Sequence, residues 1–166
     1  MVLVLTLSGL VASIRQRLGF SSTRCKLSPR LDCSTVVTRA DWAAVAAVDQ
    51  QQFGNDDCCT VDEYLEWEET GLHALFLYCE EQADPIGVIE WELDQGLYLA
   101  SILVLPAFQR KGYATEAIRA LMQHFSHLRA WCQILDDNMA SLRVFEKLQF
   151  KSTDRVLARG YRVHVQ

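Results

Sequence analysis

Residues 40 to 109 contain no lysine or arginine, although 15 acidic residues fall there. The chain also has no internal repeat and no low-complexity tract, which excludes repeat architectures and leaves no linker to mark a second domain. None of the six cysteines, at 25, 33, 58, 59, 79 and 132, forms a C-x-x-C pair. The adjacent pair Cys58-Cys59 is poorly placed for a framework disulfide. Several of the thiols lie in apolar segments, where a free cysteine behaves as a small hydrophobe. This pattern argues against a disulfide scaffold or a zinc site and indicates a reducing, cytoplasmic setting. The uncharged run at residues 1 to 14, MVLVLTLSGLVASI, is too short for a comfortable membrane span. Arg15 and Arg17 follow it, whereas a secretory signal carries its basic residues first. Residues 1 to 30 are therefore read as an N-terminal extension of uncertain role. Their acid-free, Ser/Thr-containing composition leaves organelle targeting as the alternative.

The charge that is present is segregated. The net charge of −5 hides +5 in residues 1 to 39, −15 in residues 40 to 109 and +5 in residues 110 to 166. A basic C-terminal part matches an anionic ligand and an acidic front part a cationic partner. The plainer alternative is that the acids solvate a helix face and an edge strand. At 166 residues, half of them apolar, the chain fits one domain with a sizeable core, assigned to residues 31 to 166.

The chain is organised around residues 97 to 125, LYLASILVLPAFQRKGYATEAIRALMQHF. Leu97 to Leu105 is an uncharged run that suits a strand buried on both faces. Pro106 ends it, because proline has no ladder N–H. Ala114, Ala117, Ile118, Leu121, Met122 and Phe125 recur at helical spacing. The turn between, Gln109 to Ala114, opens directly into the helix, so backbone N–H groups without intrahelical partners point one way at the positive end of the helix dipole. Gly112 permits close approach, and Arg110 and Lys111 add charge. A diphosphate fits such a turn. A plain strand-to-helix turn with two solvated basic residues is the alternative.

Around this stretch the pattern predicts a first strand over Thr35 to Thr38 and a helix capped by Asp41 or Thr38 through Trp42, Val45, Ala46, Val48 and Asp49. A second helix starts at the capping box Thr60-Val61-Asp62-Glu63. Phe53, Tyr64 and Trp67 are expected in the core. Strands follow at His73 to Cys79 and Ile86 to Leu93, joined by a turn at Glu81 to Pro85. Alternation puts Glu90 and Glu92 on the same face as Ile86 and Val88. Either that strand end is solvated or one of the two is a general base. Arg129 to Leu135 reads as another strand and Asp136 to Asn138 as the turn that caps a final helix, striped by Leu142, Phe145 and Leu148. Lys151 to Gln166 supplies one or two closing strands. His124 and His127 are expected on the surface.

Gln109-x-x-Gly112-x-Ala114 after Val-Leu-Pro resembles the coenzyme A signature of the GNAT superfamily of N-acetyltransferases. Gly112-Tyr-Ala-Thr-Glu-Ala117 resembles the branch with the ribosomal-protein N-terminal acetyltransferases. Asn138-Met-Ala-Ser-Leu-Arg-Val-Phe-Glu-Lys-Leu-Gln-Phe150 is similar to that family's last-helix motif, at the expected distance. The resemblance covers roughly residues 35 to 160. It implies an α/β fold with a mixed, mostly antiparallel sheet of six to seven strands and about four helices. It implies an acetyl-CoA-dependent transfer to a primary amine on a protein, peptide or small molecule, in a ternary complex without metal. Ile102, Leu103 and Val104 would pair with the pantetheine arm. The N–H groups of Arg110, Lys111, Gly112, Tyr113, Ala114 and Thr115 would hold the diphosphate, with Gln109 of the same signature also at the coenzyme site. Asn138 and Ser141 would support the arm. The acids Asp56, Asp57, Asp62, Glu63 and Glu66 would lie near the acceptor. The acceptor is expected to be a cationic amine, with no nucleic-acid partner and no stable membrane insertion, in a monomer or homodimer.

Two positions depart from the pattern. Phe145 stands where many members have a thiolate-protonating Tyr, so Ser141 is a stand-in donor. Gln133 stands where some N-terminal acetyltransferases carry a basic Glu. Glu92, Glu90, Tyr98 acting through water, or a chain of waters are then the candidate bases. Those departures keep open a second reading, an inactive acyl-CoA-binding module or an interaction protein on the same fold.

Overall fold

The computed structural model describes residues 23–54, 58–80, 82–93, 95–157 and 160–166. The expectations for residues 1 to 22, and for Asp56 and Asp57, lie outside the described residues. In chain order the elements are β1 (Cys25–Lys26), β2 (Leu31–Thr35), α1 (Arg39–Phe53), α2 (Val61–Thr70), β3 (His73–Cys79), β4 (Gly87–Leu93) and β5 (Leu97–Val104). A short 3-10 turn, Pro106–Phe108, precedes α3 (Tyr113–His124), β6 (Ala130–Leu135), α4 (Met139–Lys147), β7 (Lys151–Val156) and β8 (Tyr161–Val165).

The strands form one eight-stranded sheet in the order β1-β2-β3-β4-β5-β6-β8-β7. Every neighbouring pair is antiparallel except β5 and β6. That parallel pair follows from the chain path, since α3 carries the chain from the end of β5 back to the start of β6. Among the described residues, the mixed sheet with four helices is the arrangement the resemblance implies. The eighth strand is the two-residue β1, too short to register as a pattern in the sequence.

Alternation along β3 and β4 divides the core. Leu75, Leu77, Ile89 and Trp91 face α3 and α4, packing with Ile118, Leu121, Phe145 and Leu148. Ala74, Phe76 and Val88 face α1 and α2, packing with Trp42, Val45 and Tyr64. Trp42 stacks on Tyr64 with ring centroids 5.4 Å apart, and its indole N–H donates to Glu68 Oε2 at 3.0 Å.

Local chemistry sets the helix starts. Thr38 Oγ1 accepts from the Asp41 N–H at 3.1 Å, while Asp41 Oδ2 accepts from the Thr38 N–H at 2.8 Å. Thr60 and Glu63 repeat that reciprocal cap at α2. The first strand of the predicted set is displaced: it runs Leu31–Thr35 rather than Thr35 to Thr38. Thr38 is committed to the cap, which holds its backbone extended but outside the ladder. Phe53 and Trp67 are not core residues, at 52% and 41% exposed. α2 is only ten residues long and buries a single side chain, Tyr64, against which Trp67 packs at a steep angle with ring centroids 5.6 Å apart. Among the described residues, no helix is long and apolar enough to cross a membrane.

Candidate active site

β5 and β6 pair only through Leu97↔Ala130, Tyr98↔Trp131 and Leu99↔Cys132, and then separate. The separation begins where the register of β5 against β4 slips between Glu90↔Ser101 and Trp91↔Leu99, leaving Ala100 as the extra residue of a bulge. A bulge bends its strand and sharpens the local twist. The consequence is a cleft of about 310 Å³ between the two strands. Ser101, Ile102 and Leu103 line one wall, with Gln133 and Leu135 of β6 opposite, and Asn138, Ser141 and Phe145 close the end from α4. This also corrects the expectation that β5 is buried on both faces. Ala100, Ser101 and Ile102 are only half-buried, because the neighbouring strand has moved away.

Ladder alternation assigns the backbone groups of that wall. The Leu105 N–H donates to the Ile86 carbonyl at 2.9 Å, and the register pairs Leu103 with Val88 and Ile102 with Ile89. The main-chain groups of Leu105, Leu103 and Ser101 therefore turn toward β4, and those of Ile102 and Val104 turn toward the cleft. The Val104 carbonyl is taken by Gln109 Nε2 at 2.8 Å, which ties the end of the strand to the following turn. The Val104 N–H, like that of Ile102, faces the cleft side.

The turn itself is bent by two residues in the left-handed region, Arg110 at φ 61° and Gly112 at φ 88°. Gly112 is the N-cap of α3 and supplies no side-chain cap, whereas Thr38, Thr60 and Asn138 each cap their helices. The first helical bond runs from the Glu116 N–H to the Gly112 carbonyl at 3.0 Å. The N–H groups of Tyr113, Ala114 and Thr115 precede it and sit at the positive end of the helix dipole. Arg110 and Lys111 are exposed beside them. An anion fits this geometry.

Behind the Ser101 wall lies a buried acidic cluster. Glu90 is 5% exposed, so a solvated strand end does not describe it, and its Oε1 has no hydrogen-bond partner. Burial, reinforced by the nearby Asp49 charge, pushes its carboxyl up to about 7 against opposing hydrogen bonds from Tyr64 and Ser101. Asp49 is 4% exposed and accepts the Cys59 N–H at 2.7 Å. Burial, then the charges of Glu90 and Asp49, raises the Tyr64 hydroxyl far above its ordinary range. Glu90 is thus a carboxyl half ionised near neutrality, one hydrogen bond from a cleft-lining serine.

Glu92 and Tyr98 lie opposite each other across β4 and β5, at the level where β5 and β6 are still paired, and neither lines the cleft. Tyr98 stacks on Trp131 at 4.2 Å, and burial raises its hydroxyl to about 12. Asn138 uses its Oδ1 to accept the Ser141 N–H at 3.1 Å, so its amide nitrogen is the part left for a ligand. Phe145 is 5% exposed and packs edge-on against Phe150. His124 and His127 are exposed. Of the acids on the front helices, Glu63 caps α2 and Asp62 pairs with Arg39 at 2.7 Å.

Sequence reasoning missed three residues here. Phe53 and Tyr161 line the cleft from distant elements, and Asp49 belongs to the acidic cluster. Only a tertiary contact distinguishes them. An Asp on an otherwise apolar helix face was the one available sign, for Asp49.

The family model described as "Acetyltransferase (GNAT) family" matches residues 42–150. Among solved structures, a putative GNAT-family acetyltransferase from Bordetella pertussis superposes with a TM-score of 0.66 at 22% identity, covering 86% of this chain and 98% of that one. RimL, a ribosomal L7/L12 α-N-protein acetyltransferase in complex with coenzyme A, gives 0.64 at 15% identity, covering 87% and 97%. The ribosomal-protein-S18-alanine N-acetyltransferase from Escherichia coli gives 0.63 at 14%, covering 81% and 90%. Among curated protein sequences none is similar enough to match. The structural likenesses, all under 25% identity, speak for the fold, and the family match speaks for lineage: the chain belongs to the GNAT family of acetyltransferases.

Proposed function

We propose that residues 31 to 166 form an acetyl-CoA-dependent N-acetyltransferase that moves acetyl directly to a primary amine held in the same complex. The observation that carries this reading is the joining of two features: an opened pair of strands and, at its end, an uncapped basic helix start. Acetyl-CoA supplies an acetyl group already activated as a thioester. The groups of Ile102 and Val104 facing the cleft suit an extended amide-bearing arm, with Leu103 packing beside it. The Val104 N–H is placed to stabilise charge on a carbonyl oxygen. Gln109 braces the strand end, and the N–H groups from Arg110 to Thr115 suit a diphosphate.

The acceptor must lose a proton before it attacks. Glu90 is the group placed to take it, through Ser101 or a water on it. A carboxyl near 7 is matched to that task at neutral pH. Glu92 and Tyr98 stand further along the same strands and remain secondary candidates. Ser141 is the hydroxyl on α4 placed to protonate the departing thiolate, since Phe145 has no proton to give. The acids of α1 and α2 favour a cationic acceptor, a polypeptide N-terminus or another amine.

The decisive test is calorimetric titration of acetyl-CoA into the native protein and an Ala114→Asp variant. An acid in the first turn of α3 favours the helix but opposes the diphosphate. The variant should melt at or above the native temperature and bind acetyl-CoA at least about 100-fold more weakly, the scale of removing one or two charge-assisted hydrogen bonds. Equal binding by both would overturn the placement. An amine panel scored by release of free coenzyme A thiol then tests transfer. A native protein that binds but turns over no amine would favour the binding-module reading.

A further inference from the structure

The hairpin of β1 and β2 lies outside the residues that match the family, yet it reaches the turn at α3. Its tight bend is closed by bonds from the Leu27 and Ser28 N–H groups to the Leu31 carbonyl, both 2.9 Å. Arg24 fastens its base, donating to the carbonyls of Gln82 and Cys79 at 3.0 Å each and lying over the Tyr78 ring. The tip then carries Arg30 to Glu116. Arg30 Nε donates to Glu116 Oε2 at 2.8 Å, and Nη2 donates to the same oxygen. Nη1 reaches the Lys111 carbonyl at 3.3 Å, and the guanidinium lies 5.3 Å from the Tyr113 ring centroid. Ser28 donates its hydroxyl to Glu116 Oε1.

Two consequences follow. Glu116 is an acid in the first turn of a helix whose start is shaped for an anion, and bare it would repel that anion. Partial burial opposes its ionisation, but the Ser28 hydroxyl and the Arg30 guanidinium and amide outweigh this and hold its carboxyl below the usual range. It is therefore charged, and Arg30 is what cancels it. Secondly, a guanidinium has five N–H donors. The bonds above use three, leaving one on each terminal nitrogen. Nη2 lies 3.5 Å from where a Cβ would stand on Gly112, beside the turn.

Resting on the coenzyme reading above, we propose that Arg30 is a further phosphate-binding residue of this site, delivered by the β1–β2 hairpin, which makes the protein select thioesters that carry the diphosphate. Its fixed fork offers the two remaining donors to a phosphate oxygen while its pairing with Glu116 removes the repulsion.

The test compares acetyl-CoA with acetyl-pantetheine, which keeps the thioester arm and lacks the diphosphate. Affinities are measured calorimetrically on the full chain for the native protein and for Arg30→Gln and Glu116→Gln variants. Arg30→Gln should weaken acetyl-CoA about 10- to 100-fold, the scale of removing a charge-assisted hydrogen bond, and leave acetyl-pantetheine within about twofold. Glu116→Gln breaks the same pair but keeps the Arg30 charge, so it should bind acetyl-CoA as tightly as native or tighter. Three results would overturn the proposal: acetyl-CoA unaffected by Arg30→Gln, both ligands weakened equally, or Glu116→Gln as damaging as Arg30→Gln. The last two would make the pair a fold support only. Native protein that binds neither ligand would instead sink the coenzyme reading itself.

Discussion

At the scale of single residues, Glu90 is the position where stability and activity pull apart. Its carboxyl is raised from about 4.5 to about 7 by burial, so the folded protein holds a proton that the unfolded chain releases. The stability linked to Glu90 is complete below pH 4.5 and is lost as pH rises through about 7. Glu90→Gln removes that loss. By denaturant unfolding, the variant should gain stability relative to native at about pH 8, by up to roughly 3 kcal/mol, with little change at about pH 4.5. The same variant should lose transfer rate by about 100-fold or more. The native rate should rise with pH through about 7, and Glu90→Gln should lack that limb. A variant with native rate and native pH profile would remove Glu90 from the mechanism and move attention to Glu92.

At the scale of elements, the cleft depends on how closely β4 and β5 approach below the bulge. A Cβ on Gly87 would lie 2.2 Å from the Leu103 carbonyl oxygen and 3.1 Å from the Val104 Cα. Glycine lets the two backbones meet where β5 forms the cleft wall. Gly87→Ala must push that wall outward. We expect it to cost about 2 kcal/mol or more in urea unfolding, as overpacking does, and to weaken acetyl-CoA by shifting Ile102 and Val104. Much at this scale was legible from local chemistry. Thr60 with Glu63 marked the start of α2, and Pro106 the end of β5, because caps and strand breaks are decided within a few residues. The bulge at Ala100 was not legible. Nothing in Leu99-Ala100-Ser101 marks an unpaired residue, since the slip is a property of the pairing with β4. Phe53 and Trp67 depart from expectation for a related reason: periodicity gives a helix face but not the extent of the surface it meets.

At the scale of the molecule, charge of the two signs is segregated. The front helices and β4 carry the acids, while Arg110, Lys111 and Arg30 gather at the turn before α3. Exposed charges act over about 8 Å at physiological ionic strength and over less at high salt. Raising salt from about 50 to 500 mM, a range over which the screening length falls by roughly threefold, should weaken both acetyl-CoA and a dicationic amine. Acetyl-pantetheine and a monoamine should change far less. Steady-state constants measured across that range check this directly, and a salt-independent KM for the dicationic amine would reduce the acids to solvation.

The strand-turn-helix at residues 97 to 125 and the last helix after Asn138 were set by the sequence alone, because each depends on neighbours within a turn or two. They carried the resemblance to the family whose model matches residues 42–150. Only the tertiary structure decided which face of β5 opens, that Glu90 is buried beside Ser101 and Asp49, and that Arg30 arrives at Gly112 from a hairpin far away in the chain. These depend on register and on approach between distant segments. One residue of slip in a ladder reverses which groups face a cleft, and no local pattern records it.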